Sequence, residues 1–291
     1  MGRAAMGALH IGTSGWTYDD WSGRFYPEEV RGTDRLAYYA SVFDTVEINA
    51  TFYRFPTQVM IDSWNRRLPA RFHLVVKGHR RITHLHKLDP AGDESLRGFL
   101  ERVAPLRALR VVLWQLPPSL HADPERLASF LERLDRATRS VWSGRHRLRH
   151  AIEFRHRSWW EDDRIPGILA GHRAAFVAVS HPRLPPEVIP TADFLYVRFH
   201  GTGPRLYDHD YPREELRAWA KRLAPHLGRR ALYAFFNNDW HAHAPKNAQE
   251  FREILERIIG RTARRGTAGS ASRPSRPPGR RTTSRRGAAP P

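Results

Sequence analysis

Eight short apolar runs recur along the 291-residue chain, and most of them pass straight into polar or charged side chains. They end at Ser14, at Glu47 and Asn49, at Lys77, at Gln115, at Glu153 and Arg155, at Ser180 and His181, at Arg198 and His200, and at Asn237 and Asn238. Side chains alternate between the two faces of a strand, so one face of each run must be apolar under a helix while the other lines an interior. The run from Phe43 to Asn49 sets Val46 and Ile48 against Thr45, Glu47 and Asn49, and Phe194 to His200 sets Leu195, Val197 and Phe199 against Tyr196, Arg198 and His200. The remaining strands are read at Leu9–Trp16, Phe72–Lys77, Val111–Gln115, His150–Arg155, Ala175–Val179 and Ala231–Asn237. Eight strands with functional groups at their C-terminal ends imply an α/β chain folded as a (β/α)8 TIM-type barrel, with its site at the strand ends.

Helices fill most of the gaps. Asp123-Pro124-Glu125 supplies an N-cap and a first-turn proline, and Leu127, Phe130, Leu131 and Leu134 follow at helical spacing. Leu216, Trp219, Ala220 and Leu223 form another apolar stripe, as do Phe251, Ile254, Leu255 and Ile258. The segment His181-Pro182-Arg183-Leu184-Pro185-Pro186-Glu187-Val188-Ile189-Pro190 holds too many prolines for a helix, so the barrel is expected to be irregular between strands six and seven. Residues 1–260 read as one barrel domain. Residues 261–291 read as a disordered tail, because Arg, Pro, Ser and Gly dominate and no aliphatic residue larger than alanine is present.

The tail carries nine arginines and no acid, half of the formal net charge of +18. Only four of the 48 basic residues are lysine, an arginine bias that a GC-rich genome also produces. A weak, sequence-independent contact with nucleic acid or another polyanion is the functional expectation for such an arm. A solvated tail without a partner is the other. No apolar run approaches the roughly 18 residues of a membrane span, and MGRAAMGALHIG has no core long enough for a secretory signal. A cytoplasmic protein with no membrane contact is expected. With no cysteine, thiolate chemistry and disulfides are excluded.

These residues resemble the YecE-like family, also called domain of unknown function 72. The resemblance runs from about Leu9 to Ile259. It rests on Gly12-Thr13-Ser14-Gly15-Trp16 with Tyr18, Trp21, Tyr26 and Pro27, on Val46-Glu47-Ile48-Asn49 with Thr51, Phe52 and Tyr53, and on Lys77 with Ile82-Thr83-His84. It continues through Gln115-Leu116-Pro117-Pro118, Glu153-Phe154-Arg155, Tyr196-Val197-Arg198-Phe199-His200-Gly201 and Phe236-Asn237-Asn238-Asp239. The family resemblance implies a TIM-type barrel and a site, but no reaction. It also marks a departure: Ser180-His181 stands where the resemblance implies an aspartate, so no third carboxylate is present there.

Within the inward set, Glu47 and Glu153 are the expected acid–base pair, with His200 beside them, since two carboxylates astride a bond suit general acid–base chemistry. Their alternative role is structural, with Glu153 paired to Arg198 or Arg155 and Glu47 paired to Lys77. Lys77, Arg155 and Arg198 place three positive charges against two glutamates, which favours a phosphate or carboxylate ligand. Gln115, Asn237 and Asn49 would orient it, and Trp16, Tyr18 and Tyr53 would stack on it or wall the mouth. No cofactor is expected. The one metal arrangement within reach is a single divalent ion on His200, Glu153 and Glu47, since no HExxH occurs. The leading expectation is therefore an enzyme, a hydrolase or isomerase in type, acting on a small polar, anionic, carbohydrate-like or phosphorylated compound. A non-catalytic metabolite-binding barrel and a nucleic-acid interactor working through the tail are the alternatives. Oligomeric state is not legible.

Overall fold

In a computed structural model, residues 7–269 are described apart from 144, 145, 204 and 229, with side chains described to residue 260. Eight strands alternate with helices: β1 (Leu9–Thr13), β2 (Thr45–Ile48), β3 (His73–Lys77), β4 (Leu109–Gln115), β5 (Arg149–Glu153), β6 (Ala175–Ser180), β7 (Phe194–Phe199) and β8 (Ala231–Phe236). All neighbouring pairs are parallel, in the order β1-β8-β7-β6-β5-β4-β3-β2, so the sheet curls into a nearly closed (β/α)8 barrel. The strands sit where the apolar runs placed them. β1 stops short of the expected Trp16 because Gly15 turns the chain with φ +109.

Alternation separates two cores. Leu195, Val197 and Phe199 of β7 pack outward with Ile11, Val46, Ile152 and Phe236 under the helices, while Tyr196 and Phe194 point inward with Val75, Leu113, Val177 and Phe235. The helix at Pro124–Val141 begins as its sequence predicts: the Asp123 carboxylate accepts the Arg126 N–H at 3.0 Å, and Leu127, Phe130, Leu131 and Leu134 are buried. Between β6 and β7, residues 181–193 carry no helix, the irregularity the prolines imply. The last helix, His243–Gly269, runs past the boundary expected at Gly260, because no proline interrupts the chain before Pro274. The rest of the basic tail, 270–291, with its expected disorder and polyanion contact, lies outside the described residues. Among the described residues no helix is long and apolar enough to cross a membrane.

The seam between β1 and β2 is closed by a side chain. The Tyr39 hydroxyl accepts the Thr13 N–H at 2.9 Å and donates to the Thr45 carbonyl at 3.1 Å, joining the two strands where the ladder is open. Gly12 makes this approach possible, since a Cβ there would lie 2.4 Å from the Thr45 carbonyl oxygen. Replacing Tyr39 with Phe leaves a buried N–H and a buried carbonyl without a partner, so Tyr39→Phe is expected to cost about 1–3 kcal/mol. Urea denaturation reads the loss; an unchanged midpoint would mean that the seam does not depend on this hydroxyl.

Candidate functional site

The inward polar residues of β1, β2, β5 and β7 converge on one guanidinium. Arg198 donates from Nη1 to Glu153 Oε2 and from Nη2 to Glu47 Oε1, both at 2.6 Å, and all three side chains are buried. Glu47 is completed by Ser14 Oγ, which donates to Oε1 at 2.8 Å, and by the Tyr196 hydroxyl, which donates to Oε2 at 2.5 Å. Glu153 Oε1 faces Arg155 Nε at 2.6 Å and His200 Nε2 at 3.1 Å. Strand alternation produces this cluster, because Glu47, Glu153 and Arg198 each follow an outward aliphatic residue near the end of a strand. The ion pairing considered for Glu153 therefore forms with both arginines, whereas the partner of Glu47 is Arg198 rather than Lys77.

Burial alone would raise the Glu153 carboxyl, but Arg155, Arg198 and the His200 hydrogen bond hold it well below the ordinary 4.5. Burial, Arg155 and Arg198 in turn push His200 well below 6.5, so the ring is neutral. Its Nε2 lies between an oxygen that only accepts and Arg155 Nη2, 2.9 Å away, that only donates. With the proton on Nε2 the ring donates to Glu153, and Nδ1 accepts the Asn237 amide at 3.2 Å. Every carboxylate oxygen in the cluster is thus engaged. Two buried carboxylates gripping one guanidinium do not stand astride an open gap. Among the described residues no group of three or more His, Asp or Glu side chains is arranged to hold a metal ion.

Above this cluster lies a cavity of about 320 Å³, at the C-terminal ends of the strands. Of the residues singled out from sequence, Tyr18, Asn49, Tyr53, Lys77, Gln115, Arg155, Arg198 and Asn237 line it. Glu47, Glu153 and His200 lie beneath it, fully buried, and Trp16 packs edge-on to Trp64 at 6.3 Å instead. Two lining residues were missed, Asp239 and Tyr207. Asp239 lies beyond the end of β8, where strand alternation no longer assigns a face, although it belongs to the Phe236-Asn237-Asn238-Asp239 run. Tyr207 sits in the loop after β7 at φ 73, a strained conformation for a bulky side chain that sequence does not announce.

Four polar atoms of the lining are buried with no hydrogen-bond partner among the described residues: Arg198 Nε, Arg155 Nε, Asn49 Oδ1 and Asp239 Oδ1, of which Arg155 Nε is still ion-paired with Glu153 Oε1 at 2.6 Å. Two titrating groups face the same space. Burial, reinforced by repulsion from Arg198, brings the Lys77 ammonium down to about 7. Burial also brings Asp239 up to about 8, against a Tyr18 hydrogen bond and the pull of Arg198. The expectation of three fixed positive charges therefore needs correcting: Arg155 and Arg198 are matched by Glu153 and Glu47, and Lys77 is only partly charged at neutrality. Gly78 fixes the backbone just past Lys77, because a Cβ there would meet the Trp114 ring at 2.3 Å.

Residues 10–268 match the model of a family described as "Protein of unknown function DUF72". The chain is similar to the UPF0759 protein YunF of Bacillus subtilis (strain 168), 25% identical over 281 residues that cover 85% of this chain and 95% of that protein. It is also similar to the crystal structure of a DUF72 family protein from Thermotoga maritima MSB8, with a TM-score of 0.72 and 30% identity over 86% of this chain and 99% of the other. A DUF72 family protein from Enterococcus faecalis V583 superposes with a TM-score of 0.71 at 21% identity, covering 85% of this chain and 95% of that one.

The cluster makes a stability prediction. Arg198→Met strands two buried carboxylates and is expected to cost about 3–5 kcal/mol in urea denaturation, with part of the loss recovered by adding Glu153→Gln. A loss below about 1 kcal/mol would show that the carboxylates do not depend on this guanidinium.

Proposed function

Because the chain belongs to the DUF72 family, whose name assigns no activity, we propose a function from the chemistry of the mouth: an enzyme that binds a small, hydroxylated, anionic compound there and moves protons on it. The observation that carries this reading is the set of unpaired buried atoms around the cavity. A buried polar atom without a partner costs free energy, and such atoms in a folded protein call for an explanation. Arg198 Nε–H asks for an acceptor such as a carboxylate or phosphate oxygen, while Asn49 Oδ1 asks for a donor such as a hydroxyl. A compound bearing both groups, of the sugar acid or sugar phosphate kind, satisfies them together.

Lys77 and Asp239 are the groups we assign to proton transfer, in place of Glu47 and Glu153. Acid–base groups work best when their pKa values lie near the working pH, and environments that push a carboxyl up and an amine down supply that condition. Lys77 at about 7 and Asp239 at about 8 meet it, whereas Glu153, held far below, does not. Glu47 and Glu153 then serve as positioning residues for Arg198, and His200 positions Glu153.

The charge of the mouth gives the test. Below about 7 Lys77 is charged and Asp239 is neutral; above about 8 Lys77 is neutral and Asp239 is negative. Anion affinity is therefore expected to fall as pH rises through this window, by on the order of tenfold or more. Thermal shifts with inorganic phosphate, citrate and glucose 6-phosphate, against glucose as the neutral control, read this at pH values of about 6 and about 9. Stabilisation by the anions alone, larger at the lower pH, is the expected result. Equal stabilisation at both pH values, or none by any anion, would contradict the proposal.

A further inference from the structure

Lys77 differs from the other three lysines in its surroundings. Its Nζ lies 4.2 Å from the centre of the Phe52 ring, and among the described residues no carboxylate oxygen lies within 4 Å of it. Lys246, by contrast, is paired with Asp210 Oδ2 at 2.6 Å, and neither Lys87 nor Lys221 borders the cavity. A lysine serving only as a positive charge is well placed beside a carboxylate that keeps it protonated. Here both nearby glutamates are committed to arginines, and Arg198 and Arg155 repel the proton. Lys77 therefore gives up its proton far more readily than an ordinary lysine, which is almost wholly protonated at pH 7. A desolvated amine next to other cations is a recognised way of making a nucleophile.

We propose that Lys77 is a covalent nucleophile that condenses with the carbonyl carbon of an anionic aldehyde or ketone, with Arg155 and Arg198 holding the anionic end and Asp239 serving as the acid. The inference rests on the anion-binding reading above and narrows its substrate class to carbonyl compounds. The Nζ lone pair forms an N–C bond to the carbonyl carbon, the π pair moves to oxygen, and oxygen takes a proton from the Asp239 carboxyl. Nζ then gives up a proton, returning one to the Asp239 carboxylate. The carbinolamine hydroxyl leaves as water with that proton while the nitrogen lone pair forms the C=N bond. This leaves a protonated imine beside the Asp239 carboxylate; return of the imine proton to that carboxylate completes the sum of amine plus carbonyl to imine plus water, with no oxidant or reductant. Asp239 stands beyond β8, three strands round the ring from β3, and faces the same cavity with one oxygen unpartnered. At neutral pH it holds the proton that the first step requires.

The chain has only four lysines, which makes the test sharp. The full chain is incubated at neutral pH with dihydroxyacetone phosphate or glyoxylate and sodium cyanoborohydride, and the reduced adduct is located by peptide mass mapping. Labelling at Lys77 is expected to exceed that at Lys87, Lys221 or Lys246 by on the order of tenfold or more, and excess inorganic phosphate should slow it. Asp239→Asn should slow labelling at Lys77 without redirecting it. Lys77→Arg keeps a positive charge but forms no stable imine, so it should still be stabilised by phosphate while losing the adduct. Label spread over the lysines by exposure, with Lys77 not preferred, overturns the proposal. If phosphate still stabilises the protein in that case, the anion-binding reading survives; if neither phosphate nor the carbonyl probes stabilise it, both fall.

Discussion

The mouth of this barrel is organised by one guanidinium shared between two carboxylates. Arg198 from β7 reaches Glu47 on β2 and Glu153 on β5, so strands from distant parts of the ring are fixed to one another by charge-assisted hydrogen bonds. Such a cluster is expensive to bury, and replacing ion pairs with apolar residues is often neutral or stabilising. It lies at the C-terminal end of the strands, the end at which barrel enzymes carry their sites. The opposite end of the barrel makes the contrast. There His10 stacks on His73 at 3.8 Å, and the His73 Nδ1 meets the Tyr233 hydroxyl at 2.8 Å, a packed plug without unpaired groups of this kind among the described residues.

Because the glutamates and arginines consume one another's charge, Lys77 and Asp239 are the cavity-lining groups whose charge is not matched in this way. Among the described residues no carboxylate oxygen lies within 4 Å of Lys77 Nζ, and at Asp239 burial outweighs the pull of Arg198. The same burial drives the amine down and the carboxyl up, so one physical cause poises both near neutrality. Tyr207, strained at the rim, and Tyr53, largely exposed, frame the opening through which a ligand would enter.

Much of the architecture was legible because alternation is a strict rule. On β7 the sequence Leu195-Tyr196-Val197-Arg198-Phe199-His200 assigns faces without ambiguity, and the fold obeys it. The identity of the polar cluster followed from the same rule, but its roles did not. Alternation places Glu47 and Glu153 inside; it says nothing about which side chain lies between them, and so a carboxylate pair with a gap and one bridged by Arg198 look alike in sequence. Sequence shows Lys77 as a fixed charge because its burial, and its repulsion by Arg198 and Arg155, depend on residues distant along the chain. Asp239 escaped because it follows the strand end, in a turn where periodicity carries no information.

Lys77 stands apart as an amine without a carboxylate partner among the described residues, beside arginines that glutamates already match. Lysine labelled with carbon-13 at Cε reports this directly by NMR, since only four side-chain signals exist to be assigned. One lysine is expected to titrate near 7 in the free protein and to shift upward when inorganic phosphate is added. A set of four lysine signals in which none titrates near 7, with or without phosphate, would contradict it.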